Sequence, residues 1–109
     1  MDTTTFSALA EPNRLRIMEL LLGADGSLTV GEIAGSLGLQ QPQASKHLRV
    51  LLEAGLVEVE AVANRRNYKP RGEPLQALDA WLERYRKIWS ERFDNLDSYL
   101  KELQSKDQN

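Results

Sequence analysis

The chain has 109 residues and a mass of 12.3 kDa, which leaves room for one domain, or one domain with an extension. A hydrophobic fraction of 41% beside 28% charged residues is ordinary globular composition and excludes wholesale disorder. With no cysteine, disulfides, thiolate metal sites and thiol nucleophiles are excluded together.

No apolar stretch approaches the roughly 20 residues that span a bilayer. Met1 to Leu9 carries neither the basic start nor the apolar run of a leader. A soluble, cytoplasmic chain with no membrane partner is expected. The net charge of -2 comes from 14 Lys and Arg against 16 Asp and Glu, which argues against indiscriminate binding to polyanions. The distribution is uneven, however. Between Gln41 and Arg71 lie Lys46, Arg49, Arg65, Arg66, Lys69 and Arg71 against Glu53, Glu58 and Glu60, a local excess of three positive charges.

Phe6, Leu9 and Ala10 predict a short opening helix that ends at the Glu11-Pro12 step, because proline biases its predecessor away from helical dihedrals. Pro12 suits the start of the next helix. Leu15, Ile17, Met18, Leu20, Leu21 and Leu22 make that helix apolar nearly all round, as a buried helix would be. The Gly23–Gly26 turn stops it, and Leu28 to Val30 has room only for a stub of strand.

Thr29 followed by Glu32 matches a capping box, and Ile33, Ala34 and Leu37 give the third helix one apolar face. It ends at Gly38. Only Gly38-Leu39 separates it from a fourth helical pattern, with Pro42 in its first turn and Ala44, Leu48, Leu51 and Leu52 on one face. Gly55 closes this helix as a left-handed cap. Two short helices joined by a tight glycine-containing turn are a helix-turn-helix candidate.

After Gly55 the period falls to two. Val57, Val59 and Ala61 alternate with Glu58 and Glu60, which is strand behaviour. Ala63-Asn64 is the expected reversal, with Asn64 as the residue that tolerates positive φ, and Arg65 to Pro70 returns as the second strand. From Pro74 onward Leu75, Leu78, Leu82, Tyr85, Trp89, Phe93, Leu96, Leu100 and Leu103 recur at a mean step of about 3.5 residues, a coiled-coil-like seam. Trp81, Ile88 and Tyr99 widen the stripe. A helix from Leu75 to Leu103 would be roughly 43 Å long, more than one face of a small domain can cover. A second copy of the chain is the simplest cover, with Ser105 to Asn109 a frayed tail.

Three segments now carry a resemblance: Ala10-Glu11-Pro12-Asn13-Arg14-Leu15-Arg16-Ile17, then Gln41-Pro42-Gln43-Ala44-Ser45-Lys46-His47-Leu48-Arg49-Val50-Leu51, then Glu53-Ala54-Gly55-Leu56-Val57. From Phe6 to Leu103 the chain resembles the ArsR (ArsR/SmtB-like) family of bacterial transcriptional repressors. The resemblance implies a mainly α fold with a small β-hairpin, a winged helix-turn-helix dimerising through its terminal helices. It further implies a homodimer on double-stranded DNA at an inverted-repeat operator, released by an inducer. Metal-sensing members carry a Leu-Cys-Val-Cys-Asp-Leu motif; the matching stretch here is Leu28-Thr29-Val30-Gly31-Glu32-Ile33, and the C-terminal helix holds no histidine. No metal site and no cofactor are therefore expected. Two further departures are Gln40, where serine commonly caps the recognition helix, and Glu58 and Glu60 in a strand that is often basic.

Within this frame Gln43 and Arg49 are expected to read bases, since Gln suits adenine edges and Arg guanine edges, with Gln41 and Ser45 flanking. Lys46 is expected on phosphate, and Arg65 and Arg66 beside the hairpin tip on backbone or minor groove, with Lys69 and Arg71 weaker candidates. His47 borders the core face; DNA contact and a hydrogen-bonded structural role both stay open. Phe6, Leu78, Trp81, Leu82, Tyr85, Trp89, Phe93 and Leu96 are the expected dimer interface. An unidentified small-molecule inducer could sit within that aromatic stripe. No carboxylate pair, phosphate-binding loop or nucleophile elbow occurs, so no enzyme is expected. The alternative function is a winged-helix protein-interaction module without DNA binding.

Overall fold

The structure, a computed structural model, describes residues 3–107. Met1 and Asp2, and Gln108 and Asn109 of the expected tail, lie outside the described residues. The chain forms two compact units, one reaching to Gln76 and one from Ala77 onward. In order the elements are α1 (Thr4–Leu9), α2 (Pro12–Gly23), β1 (Leu28–Thr29), α3 (Val30–Leu37), α4 (Gln41–Glu53), β2 (Val57–Val62), β3 (Arg65–Pro70) and α5 (Gly72–Asp107). This is the expected sequence of elements. α5 begins two residues before Pro74 and runs past Ser105. The tail thus starts later than expected, because Ser105 to Asp107 contains neither Gly nor Pro to stop the helix.

Local chemistry sets most boundaries. Glu11 caps α2 by accepting the Arg14 backbone N–H at 2.9 Å. The capping box at α3 is complete: Thr29 Oγ1 accepts the Glu32 N–H at 3.2 Å, and Glu32 Oε1 accepts the Thr29 N–H at 3.1 Å and its hydroxyl at 3.0 Å. Gly38 leaves α3 at φ 69°. Gly55, at φ 75°, ends α4 in a Schellman motif, with its N–H donating to Leu52 O and the Leu56 N–H to Leu51 O. Gln40 precedes α4 in an extended conformation and makes no side-chain cap bond.

The stub strand does more than expected. β1 pairs antiparallel with β3, so the hairpin becomes a three-stranded sheet of order β1-β3-β2, with Leu28 opposite Tyr68 and Thr29 opposite Asn67. Val30 belongs to α3 rather than to the strand. In the hairpin loop the residue with positive φ is Ala63, at 56°, and not Asn64. Positive φ at the first loop residue alone is the sign pattern of a type II′ turn, whereas Asn favours type I′ turns, in which both residues are positive.

The core of this unit gathers Ala8 of α1, Ile17, Met18 and Leu21 of α2, Ile33 of α3, Leu48 and Leu51 of α4, and Leu56, Val57 and Tyr68. Burying a side chain of this size contributes about 1.5–3 kcal/mol. Two apolar faces are narrower than the sequence implies. Leu15 and Leu22 on α2 remain exposed, because α1, α3, α4 and β3 cover only part of that helix. Leu52 is 40% exposed although its neighbour Leu51 is fully buried, since about 100° of helix rotation carries it from the core to the flank.

Candidate nucleic-acid interface

Between α4 and the hairpin lies a cleft of about 860 Å³. Gln41, Ser45, Lys46 and Arg49 enter it from α4, Arg65 and Arg66 from the hairpin, and Thr29 and Gly31 from the start of α3. Helix geometry explains the selection. Counting about 100° per residue from the buried Ala44, Gln41, Leu52, Ser45 and Arg49 fall between about 60° and 140°, on the flank facing the hairpin. Gln43 falls on the other flank; it is exposed but does not line the cleft.

His47 lies on that other flank too, only 14% exposed, with Nδ1 3.7 Å from Glu11 Oε2. That nitrogen is buried and makes no hydrogen bond among the described residues. Its ring therefore faces the N-terminus of α2 rather than the cleft, and the hydrogen bond of the structural alternative is not formed among the described residues.

The charges of the region are sorted by position. Lys69 pairs with Glu58 at 3.1 Å, directly across β2 and β3, where the two residues are register partners. Arg71 pairs with Glu73 at 3.5 Å. Lys46, Arg49, Arg65 and Arg66 hold no ion pair among the described residues. Glu58 of β2 and Glu73 of α5 thus offset the cations at the foot of the hairpin, while those of the cleft form no ion pair among the described residues. Arg14 and Arg16 are occupied structurally: Arg14 Nε donates to Ala8 O at 2.6 Å, and Arg16 donates to Leu37 O at 3.1 Å beside the helix-turn-helix turn.

One carboxylate borders the cleft. The two hydrogen bonds from Thr29, backbone first and hydroxyl second, hold the Glu32 carboxyl below its ordinary value of 4.5, and the positive charge of Arg65 adds to the effect. Several lining residues were not singled out from sequence as part of a site, among them Thr29 and Gly31, and also Leu52 and Asn64. The pairing of β1 with β3 brings the first two there, a long-range event for which a two-residue strand leaves little sequence signal.

The second unit presents the apolar stripe. Trp81, Tyr85, Trp89, Phe93 and Leu96 are exposed, as are Ile88, Tyr99, Leu100 and Leu103; Leu78 and Leu82 are half-buried. Phe6, in the first unit, is 42% exposed. The rings form an i, i+4 ladder. Trp81 stacks on Tyr85 at 5.9 Å, Tyr85 meets Trp89 edge-on at 6.0 Å, and Trp89 lies 6.1 Å from Phe93. The Arg92 guanidinium lies 5.5 Å from the Trp89 ring centroid. Among the described residues no group of three or more His, Asp or Glu is placed to hold a metal, and no helix is long and apolar enough to cross a membrane.

A helix-turn-helix whose second helix faces a basic hairpin defines a winged-helix domain. Known proteins agree with this class. Residues 11–59 match the family of bacterial regulatory proteins described as the arsR family. The chain is 40% identical over 80 residues to the HTH-type transcriptional regulator Rv2034 of Mycobacterium tuberculosis, covering 73% of each. It is 37% identical over 78 residues to the arsenic resistance transcriptional regulator ArsR1 of Pseudomonas putida, covering 72% of this chain and 60% of that one. An ArsR-like transcriptional regulator from Rhodococcus sp. RHA1 superposes with a TM-score of 0.67 at 26% identity, over 86% of this chain and 87% of the other. A homodimeric winged helix-turn-helix DNA-binding domain from Mycobacterium bovis, solved by NMR, gives 0.62 at 33% identity, over 78% and 77%. The chain belongs to the ArsR family, whose members are transcriptional regulators rather than enzymes.

Proposed function

We propose that this protein is a homodimeric, sequence-specific repressor that binds an inverted-repeat operator and leaves it when an inducer arrives. The observation that carries the reading is the cleft itself, where four cations that form no ion pair among the described residues converge with the polar side chains Gln41 and Ser45. Unopposed positive charge beside a helix-turn-helix suits a polyanion, and the Gln and Arg head groups suit base edges. Arg49 and Gln41 read bases from the cleft and Gln43 from the exposed flank beside it; Lys46, Arg65 and Arg66 hold phosphates. His47, turned toward Glu11, is left out of the contact set.

Dimerisation through α5 supplies the geometry. Two copies clasped along the exposed aromatic ladder would carry a pair of recognition helices about 34 Å apart, one turn of DNA, which is what an inverted repeat requires. The homodimeric state of the relative from Mycobacterium bovis supports self-association. The chain has no cysteine, and no group of three or more His, Asp or Glu is gathered among its described residues, which favours an inducer other than a metal. An organic molecule, for which the aromatic side chains of α5 offer one seat, and a protein are the inducer classes that fit this chain.

The test is selection of random duplex DNA by the purified protein, followed by anisotropy titration on the selected sequence. Arg49→Ala should cost about 1–3 kcal/mol and relax base choice, while Lys46→Ala should weaken all duplexes alike. Failure to enrich any sequence, with binding only to a protein partner, would favour the interaction-module alternative.

A further inference from the structure

Gly31 is the second residue of α3 and forms part of the floor of the cleft. Its φ is not in the left-handed region, unlike those of Gly26, Gly38 and Gly55. The backbone there does not call for glycine, and within a helix glycine is less favourable than alanine. Space explains it instead. A Cβ placed at this position would lie 3.2 Å from Gln41 Nε2 and 4.0 Å from Thr29 Oγ1. The first distance is tighter than ordinary van der Waals contact, so with a side chain at 31 the Gln41 amide must give way by a few tenths of an ångström.

Gln41 opens α4, and its amide makes no hydrogen bond among the described residues. Both its donor and its acceptor are therefore open to an outside partner, and a carboxamide matches the donor-acceptor edge of adenine. We propose that Gly31 is a specificity-determining position that acts through Gln41: by lacking a side chain, it leaves the space the Gln41 amide occupies at the edge of the cleft, from which the amide can meet a base edge. Gly31 touches no DNA itself and is a positioning residue. The inference rests on the DNA-reading role given above.

A double-mutant cycle tests it, using the duplex selected on the unsubstituted protein as probe. Gly31→Ala should melt no lower than the unsubstituted chain yet bind that duplex at least about three-fold more weakly, and in a Gln41→Ala background it should change affinity by less than about 1.5-fold. Repeated selection should show Gly31→Ala and Gln41→Ala altering preference at the same base positions. A loss that persists undiminished without Gln41, an affinity unchanged by Gly31→Ala, or a lowered melting temperature would each overturn the inference while leaving the DNA-binding reading in place. If the unsubstituted protein selected no duplex at all, that reading itself would fail.

Discussion

The sorting of charge around the cleft makes a quantitative prediction about salt. Each phosphate neutralised on B-DNA contributes about -0.9 to the slope of log affinity against log salt. Lys46, Arg65 and Arg66 are the phosphate-directed cations that form no ion pair among the described residues. They number three per protomer and six in a dimer, so the slope should be about -5, and affinity should fall roughly 10³-fold between 50 and 200 mM salt. Lys69 and Arg71 should add little, because Glu58 and Glu73 stand 3.1 and 3.5 Å from them. An exposed pair of this kind holds only about 0–1 kcal/mol, but its carboxylate stays beside the cation and leaves the pair neutral toward a distant polyanion. Glu58→Gln should free one cation per protomer and steepen the slope by about 2, whereas Arg65→Ala with Arg66→Ala should flatten it by about 4. Anisotropy titrations of one labelled duplex across a potassium chloride series measure all of these. If Lys69→Ala with Arg71→Ala flattened the line as much as the Arg65 and Arg66 pair does, intramolecular pairing would not be what selects the binding cations.

Three other consequences are open to measurement. Leu96→Glu, which places charge in the exposed stripe of α5, should convert a dimer to a monomer in sedimentation and weaken operator binding while the winged unit stays folded; a dimer that persists would move the interface elsewhere. Because Glu32 has a folded pKa below its ordinary 4.5, its stabilising effect should be full above that value and vanish as pH falls through the lowered one, so Glu32→Gln should flatten the acid limb of a melting-temperature profile. Alanine at a left-handed φ costs roughly 1–2 kcal/mol, and glycine's greater unfolded freedom takes back about 0.4–1 kcal/mol. Ala63→Gly should accordingly stabilise by about 0–1.6 kcal/mol in urea unfolding, and a net loss would contradict the strain assigned to φ 56°.

How far each feature could be read in advance follows the range of the interaction behind it. Thr29 with Glu32, Gly38, Gly55, Pro12 and Pro42 announce helix ends because their partners lie within a few residues. The periods of 3.6 and 2 likewise separate α4 from β2 without any distant contact. Family-specific segments around Ser45-Lys46-His47-Leu48 add the class of the domain, which periodicity alone would not.

What the chain order could not settle was decided by neighbours remote in sequence. Leu52 and Leu51 are equally apolar, yet only the packing of α4 against the rest of the unit buries one and leaves the other in the cleft. Nothing near His47 foretells Glu11, and the register of β2 on β3 alone sets Glu58 beside Lys69 and so determines which positive charges stay unopposed. Backbone capping is encoded over one turn of chain; side-chain pairing depends on which surfaces fold face to face, and that is a property of the whole packed unit.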